Sequence, residues 1–179
     1  MYLAARSAER SSCLGGVRVR KRSCIGKNVR MHDGEPLLIT TTSSEEDARA
    51  RLPEECRSED VLSRFRTNIH VDTSNEVEFA PYAEDGWEKL VVYTHAEGLE
   101  EQVELDVVFR TPRCQSLNVD FLTGGLMKTD EQLYKLLVKD RRVNPKFPMK
   151  LCFGMYAFAA PSGSVLRVGD VVEVVEEQV

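Results

Sequence analysis

No two of the five cysteines, Cys13, Cys24, Cys56, Cys114 and Cys152, form a CxxC pair, and their number is odd. That argues against a zinc site or a disulfide framework and suits a reducing compartment. No apolar run approaches the roughly 18 residues a membrane helix needs, and no secretory apolar core is present. Phosphate-loop, GxGxxG, GxSxG and HExxH signatures are missing. His32, His70 and His95 share no spacing, which argues against a histidine metal site, and no lysine stands in the setting of a pyridoxal phosphate Schiff base. An excess of positive charge is lacking too: the net charge of −5 gives no reason to expect nucleic acid.

What is there fits one soluble domain with a proper core: 179 residues, 42% apolar and 30% charged. The charge is uneven. Residues 1–30 carry eight Arg and Lys against Glu9 alone, while the tail VVEVVEEQV is acidic. An Arg- and Ser-rich start suits a mitochondrial transit segment, but VRVRK alternates like a strand with a basic outer face, and the strand is the favoured reading. Residues 1–34 are thus expected to be a lead-in with one basic strand, of the kind truncation of a longer chain would leave. Residues 35–179 form the domain. The expected compartment is intracellular, cytoplasmic or mitochondrial.

Along the domain, LLITTT (37–42) reads as a β-branched strand. SSEEDARARL (43–52) reads as a surface helix with a capping box of Ser43 and Glu46, stopped by Pro53. RFRTNIHVD (64–72) alternates polar and apolar residues like a strand. Further strands are expected over 89–93 and 102–110, the latter pointing Val103, Leu105, Val107 and Phe109 inward. LNVDF after Cys114 also looks strand-like. TDEQLYKLLVKDRR (129–142) carries a helical leucine stripe, and KLCFGMYAFAA and VLRVGDVVEVV read as a terminal hairpin. About eight strands and two helices predict a mainly β fold, a closed or nearly closed β-barrel with a few short helices over its ends.

Two constellations carry candidate chemistry. Cys114 sits between Arg110, Pro112 and Arg113 on one side and LNVDF on the other, so it is either sheet filling or a thiolate stabilised by the arginines. Arg64, Arg66 and Asn68, at a spacing of two, would share one strand face roughly 7 Å apart. Guanidinium and amide donors suit a phosphate, and a solvated face paired with carboxylates is the competing reading. Tyr82, Glu84, Asp85 and Trp87 read as a loop that packs and caps, and KDRRVNPK as a solvated helix end.

The order of these pieces resembles the MOSC domain, the C-terminal module of molybdenum cofactor sulfurases and of mitochondrial amidoxime-reducing proteins. EPLLITTTSSEEDARARL, RFRTNIHVD, YAEDGWEKL, PRCQSLNVDFLTGG, LVKDRRV, CFGMYAF and VGDVVEV carry the likeness, collinearly from about residue 35 to residue 175. The resemblance implies a β-barrel holding the molybdenum cofactor (Mo-molybdopterin), with Cys114 as the protein ligand to the metal. It also implies that Arg66 and Asn68 contact the pterin phosphate; Arg64, Ser43, Ser44 and Arg113 lie in matching segments with roles less defined. Thr67 stands where the family usually has proline, Thr73 where it has glycine, and Pro112 where a small residue is usual. The implied function is an oxidoreductase acting on N-hydroxylated substrates with an electron-donating cytochrome or flavoprotein partner. The alternatives are a cofactor-binding and sulfur-delivery module beside a desulfurase domain, and a cofactor-free β-barrel interaction module.

Overall fold

A computed structural model describes residues 5–7, 17–21, 29–30, 37–58, 60–74, 79–96, 99–160 and 165–177. Its strands are β1 (Ala5–Ser7), β2 (Val17–Lys21), β3 (Val29–Arg30), β4 (Leu37–Thr41), β5 (Ile69–Val71), β6 (Trp87–Ala96), β7 (Leu99–Pro112), β8 (Cys152–Ala160), β9 (Val165–Leu166) and β10 (Val171–Glu177). Three short helices accompany them: α1 (Thr42–Ala50), α2 (Val61–Phe65) and α3 (Leu133–Leu137). The main sheet runs β1-β2-β10-β6-β7-β8-β4-β5, and six of its strands curl strongly into a half-barrel, while β3 and β9 pair separately. Only β4 and β5 run parallel; the other pairs are antiparallel. The mainly β, barrel-type class expected from the alternation is the class found, and the basic VRVRK strand is β2, paired with β10. The expected turn at MHDGEP and most of the lead-in lie outside the described residues.

The concave face of the sheet holds the first core. Ile39, Leu90, Val92, Val103, Leu105 and Ala157 are fully buried there, so β6 and β7 alternate apolar-in and charged-out as a one-sided sheet must. A second core lies under the helices, where Leu52, Val61, Leu117, Leu133, Leu137 and Phe153 surround Phe65. There Phe65 stacks on Phe153 with ring centroids 3.7 Å apart.

Several sequence expectations are corrected. The stretch 64–72 is not one strand. Asp60 caps α2 by accepting from Ser63 N at 3.2 Å, and Val61, Leu62 and Phe65 form a helical stripe, so the chain turns at Arg66 before β5 begins. The N-cap of α1 is Thr41, whose Oγ1 accepts from Ser44 N at 3.3 Å, and not Ser43. Buried Ser44 and Ala48 show that this helix packs on the sheet rather than lying on the surface. The long helix expected over 129–142 is a 3-10 turn, Thr129–Glu131, then α3 of five residues. Gln132, at ψ 92, breaks the helical path between them. LNVDF falls in a 3-10 turn, Gln115–Asn118, followed by a single bridge from Val119 to Leu126. The terminal hairpin does not form: β8 lies between β7 and β4, while β10 lies between β2 and β6. Nor is Arg141 a solvated helix end. It stacks 3.6 Å from the Tyr82 ring centroid and pairs with Asp85 at 2.8 Å. The Tyr82–Trp87 loop packs and caps as expected, with Glu84 and Trp87 buried.

Candidate functional site

The last residue of β7 is Pro112. Having no N–H, proline cannot extend the ladder, and the strand is released there. Arg113 makes one more bond, N to Leu151 O at 2.7 Å, and Cys114 then stands in extended backbone at the start of the 3-10 turn. This accounts for Pro112 in place of a small residue: it ends the strand at the wall of a pocket.

The pocket has a volume of about 380 Å³ and lies against the convex face of β4, β8 and β7 beside the end of α2. Cys114, Arg113, Arg66 and Asn68 line it together. The Cys114 side chain is exposed, with its Sγ 2.9 Å from the Ser116 hydroxyl. Hydrogen bonds from the Ser116 hydroxyl and backbone N–H hold the thiol below its ordinary value, and the charge of Arg113 adds to this. The Arg113 guanidinium donates to Phe65 O and sits 5.8 Å from the Phe65 ring centroid. Burial lowers its own pKa.

Arg66 reaches the pocket through an unusual backbone. It is the C-cap of α2 in the left-handed region, φ 55 and ψ 44, with its N–H bonded to Leu62 O at 3.0 Å. Such a cap strongly favours glycine, so an arginine there spends backbone strain to hold a charge in place. Asn68 is fixed by reciprocal bonds to Leu38. Its N–H donates to Leu38 O at 3.0 Å, and its Oδ1 accepts from Leu38 N at 2.8 Å. The amide nitrogen is left to serve the pocket. Between them, buried Thr67 contacts Thr40 Oγ1 at 3.2 Å, and that hydroxyl lies 2.9 Å from His70 Nδ1. Threonine therefore supplies a buried bond where proline could not.

The other expected residues lie elsewhere. Arg64 does not share a strand face with Arg66 and Asn68. It is a buried helical residue reaching Glu131 O at 3.4 Å, and it lines a second cleft of about 330 Å³ with Asp120 and Met127. Ser44 Oγ donates to Glu84 Oε2 at 2.8 Å and accepts from Tyr82 N at 2.7 Å. Ser43 N donates to Thr73 Oγ1 at 3.1 Å. Both serines belong to a buried polar network that ties α1 to its neighbours, and Thr73, standing where the family has glycine, is part of it.

Leu38, Phe65, Ser116 and Tyr156 also line the pocket, and the sequence singles out none of them. Ser116 lies two positions after Cys114, a spacing that signals nothing until the turn is known. Tyr156 belongs to CFGMYAF but carries no charge pattern. Phe109, expected inward, points outward. Val107 pairs with Ala157 and Phe109 with Tyr156, so one extra residue, Val108, forms a β-bulge and reverses the alternation.

A family model for the MOSC domain matches residues 26–173, most of the chain. The chain belongs to the MOSC domain family. That family is associated with molybdenum cofactor binding. No curated protein matches the sequence. Among the described residues of this MOSC domain, no group of three or more His, Cys, Asp and Glu is placed to hold a metal ion, and no helix is long and apolar enough to cross a membrane. The chemistry of the pocket suits a metal carried in by an organic ligand. One exposed soft donor, Cys114, stands beside two guanidinium groups, Arg66 and Arg113, and the Asn68 amide in a volume ordinary for a cofactor.

Proposed function

We propose that this MOSC domain holds a molybdenum–pterin cofactor in the Cys114 pocket and reduces N-hydroxylated substrates there. One observation carries the reading: Cys114, Arg66 and Asn68, distant in sequence, line a single pocket. Cys114 would give the metal a thiolate ligand, and its exposed Sγ faces that role without rearrangement. Arg66 and the Asn68 amide would bind the pterin phosphate, a planar charged donor and a neutral one. Ser116, by its hydrogen bonds, and Arg113, held against Phe65 O, by its charge, lower the pKa of the Cys114 thiol and so ease its binding to the metal as thiolate. Arg64, Ser43 and Ser44 are assigned no contact with the cofactor.

When bound, the cofactor supplies two-electron redox chemistry at its metal centre. The overall change is R–NHOH + 2 e⁻ + 2 H⁺ → R–NH₂ + H₂O, in which the N–O bond breaks and water leaves. The electrons come from an electron-donating cytochrome or flavoprotein partner. A second reading, a non-redox module that holds the cofactor while a desulfurase domain adds sulfur, draws on the exposure of Cys114, since an open thiol suits handing a cofactor on.

The test is turnover. Protein expressed with ample cofactor and supplied with a chemical one-electron donor should convert an amidoxime to its amidine. A metal-loaded protein that stays inactive would refute the reductase and favour the delivery module.

A further inference from the structure

The bulge at Val108 does more than shift a register. It places two successive apolar side chains, Val108 (49% exposed) and Phe109 (36% exposed), on the convex face. Leaving them in water forgoes burial that a regular strand would have provided for Phe109. Bulges re-aim side chains and are over-represented beside active sites. Here Phe109 meets Tyr156 across the ladder, rings edge to face at 5.3 Å between centroids. Tyr156 is a wall of the Cys114 pocket, and it pairs on its other side with Leu38, a second wall. Two residues on, Phe158 extends the same face and is 37% exposed. A continuous aromatic shelf therefore leads from solvent to the pocket wall. The anion-binding donors, Arg66 and Asn68, come from the α2–β5 segment, while the shelf comes from β7 and β8.

Resting on the cofactor reading above, we infer that Phe109 and Tyr156 form the substrate shelf of the site, selecting N-hydroxylated compounds, such as aryl amidoximes, whose nitrogen-bearing carbon is attached to a planar aromatic group. The ring of such a substrate would stack on the exposed Phe109 face while its N–O group reaches the pocket beyond Tyr156. Small aliphatic substrates would gain nothing from the shelf. Tyr156 is the inner wall and Phe109 the specificity-determining residue.

Binding tests this independently of turnover. Molybdenum and pterin content are measured first on wild type, Phe109→Ala and Phe109→Leu; the leucine variant keeps apolar bulk if the alanine variant fails to fold. Equilibrium dissociation constants are then measured for benzamidine and acetamidine, the aromatic and aliphatic amidine products, on the cofactor-loaded proteins. The wild type should prefer benzamidine, and losing the ring should weaken benzamidine about tenfold more than acetamidine. A wild type without cofactor would overturn the cofactor reading and this inference with it. A loaded wild type that shows no benzamidine preference, or a preference unmoved in the variants, would overturn the inference alone. Loss of pterin from a folded Phe109→Leu protein would overturn it as well, by assigning the ring to the cofactor.

Discussion

Replacing His70 by glutamine should flatten the acid side of the stability profile. His70 is 5% exposed in β5, two residues after Asn68, with its Nδ1 2.9 Å from Thr40 Oγ1. Burial is the main cause that lowers its pKa from 6.5 to about 4; Asp72 opposes it and Arg49 adds to it, and Glu45 Oε2 lies 3.4 Å from Nε2. The folded protein thus resists a proton that the unfolded chain accepts. Stability from this group is complete above the unfolded value and is lost as pH falls from about 6.5 towards 4. The loss works out to about 1.4 kcal/mol at pH 5.5 and about 3 kcal/mol at pH 4. Glu45 and Glu84 act with the opposite sign, because burial raises both and the folded state then takes up protons more readily than the unfolded chain. The difference between wild type and variant therefore cancels Glu84 and reads His70 together with its contact to Glu45. Urea unfolding of His70→Gln and wild type between pH 7.5 and pH 4 reads it directly. The variant starts less stable and should close most of the gap by pH 4. Parallel curves would refute the assignment of a buried neutral imidazole.

Other outcomes follow from named contacts. Gly154→Ala should destabilise by on the order of 3 kcal/mol in urea melts, since Gly154 has φ +72 and a Cβ there would meet Ile39 O at 2.5 Å and Leu38 at 3.0 Å. Arg66→Gly should hold its unfolding free energy in urea within about 1 kcal/mol of wild type, because glycine suits the left-handed cap, yet lose the ability to retain pterin by fluorescence. Arg141→Met should cost about 3 kcal/mol in the same melts, leaving the Asp85 carboxylate, 2.8 Å from the lost guanidinium, without that partner in a largely buried place.

Strands were legible where β-branched and apolar residues gather or alternate: LLITT, buried throughout, WEKLVVY and QVELDVV all became strands. The alternation failed where one residue changes the register. The extra residue at Val108 turned Phe109 outward, and a single residue in the left-handed region at Arg66 divided a segment that reads as one alternating strand into a helix and a short strand. Neither event leaves a periodic trace. The expected hairpin between CFGMYAFAA and VGDVVEV failed because neighbours in sequence need not pair in a curled sheet, and no residue pattern encodes strand order. Cys114, Arg66 and Asn68 stood out as candidates from their neighbours and their spacing, with bland readings left open, and the resemblance gave them their implied roles. Arg113 shares their pocket, whereas Arg64, Ser43 and Ser44, drawn from the same matching segments, went to other structural duties. The gap shows what a motif carries: residues whose geometry depends on a turn, a cap or a bulge travel with it, and their neighbours do so only when the fold happens to face them the same way.

The central claim is that Cys114 holds molybdenum in this pocket. Metal analysis and pterin fluorescence on wild type and Cys114→Ala, purified from cells with ample cofactor, test it most directly. Because the Cys114 side chain is exposed, the variant should keep the wild-type melting curve. The account predicts molybdenum and pterin together in the wild type, and loss of most molybdenum from a folded Cys114→Ala protein. Equal molybdenum in both proteins, or none in the wild type, would contradict it.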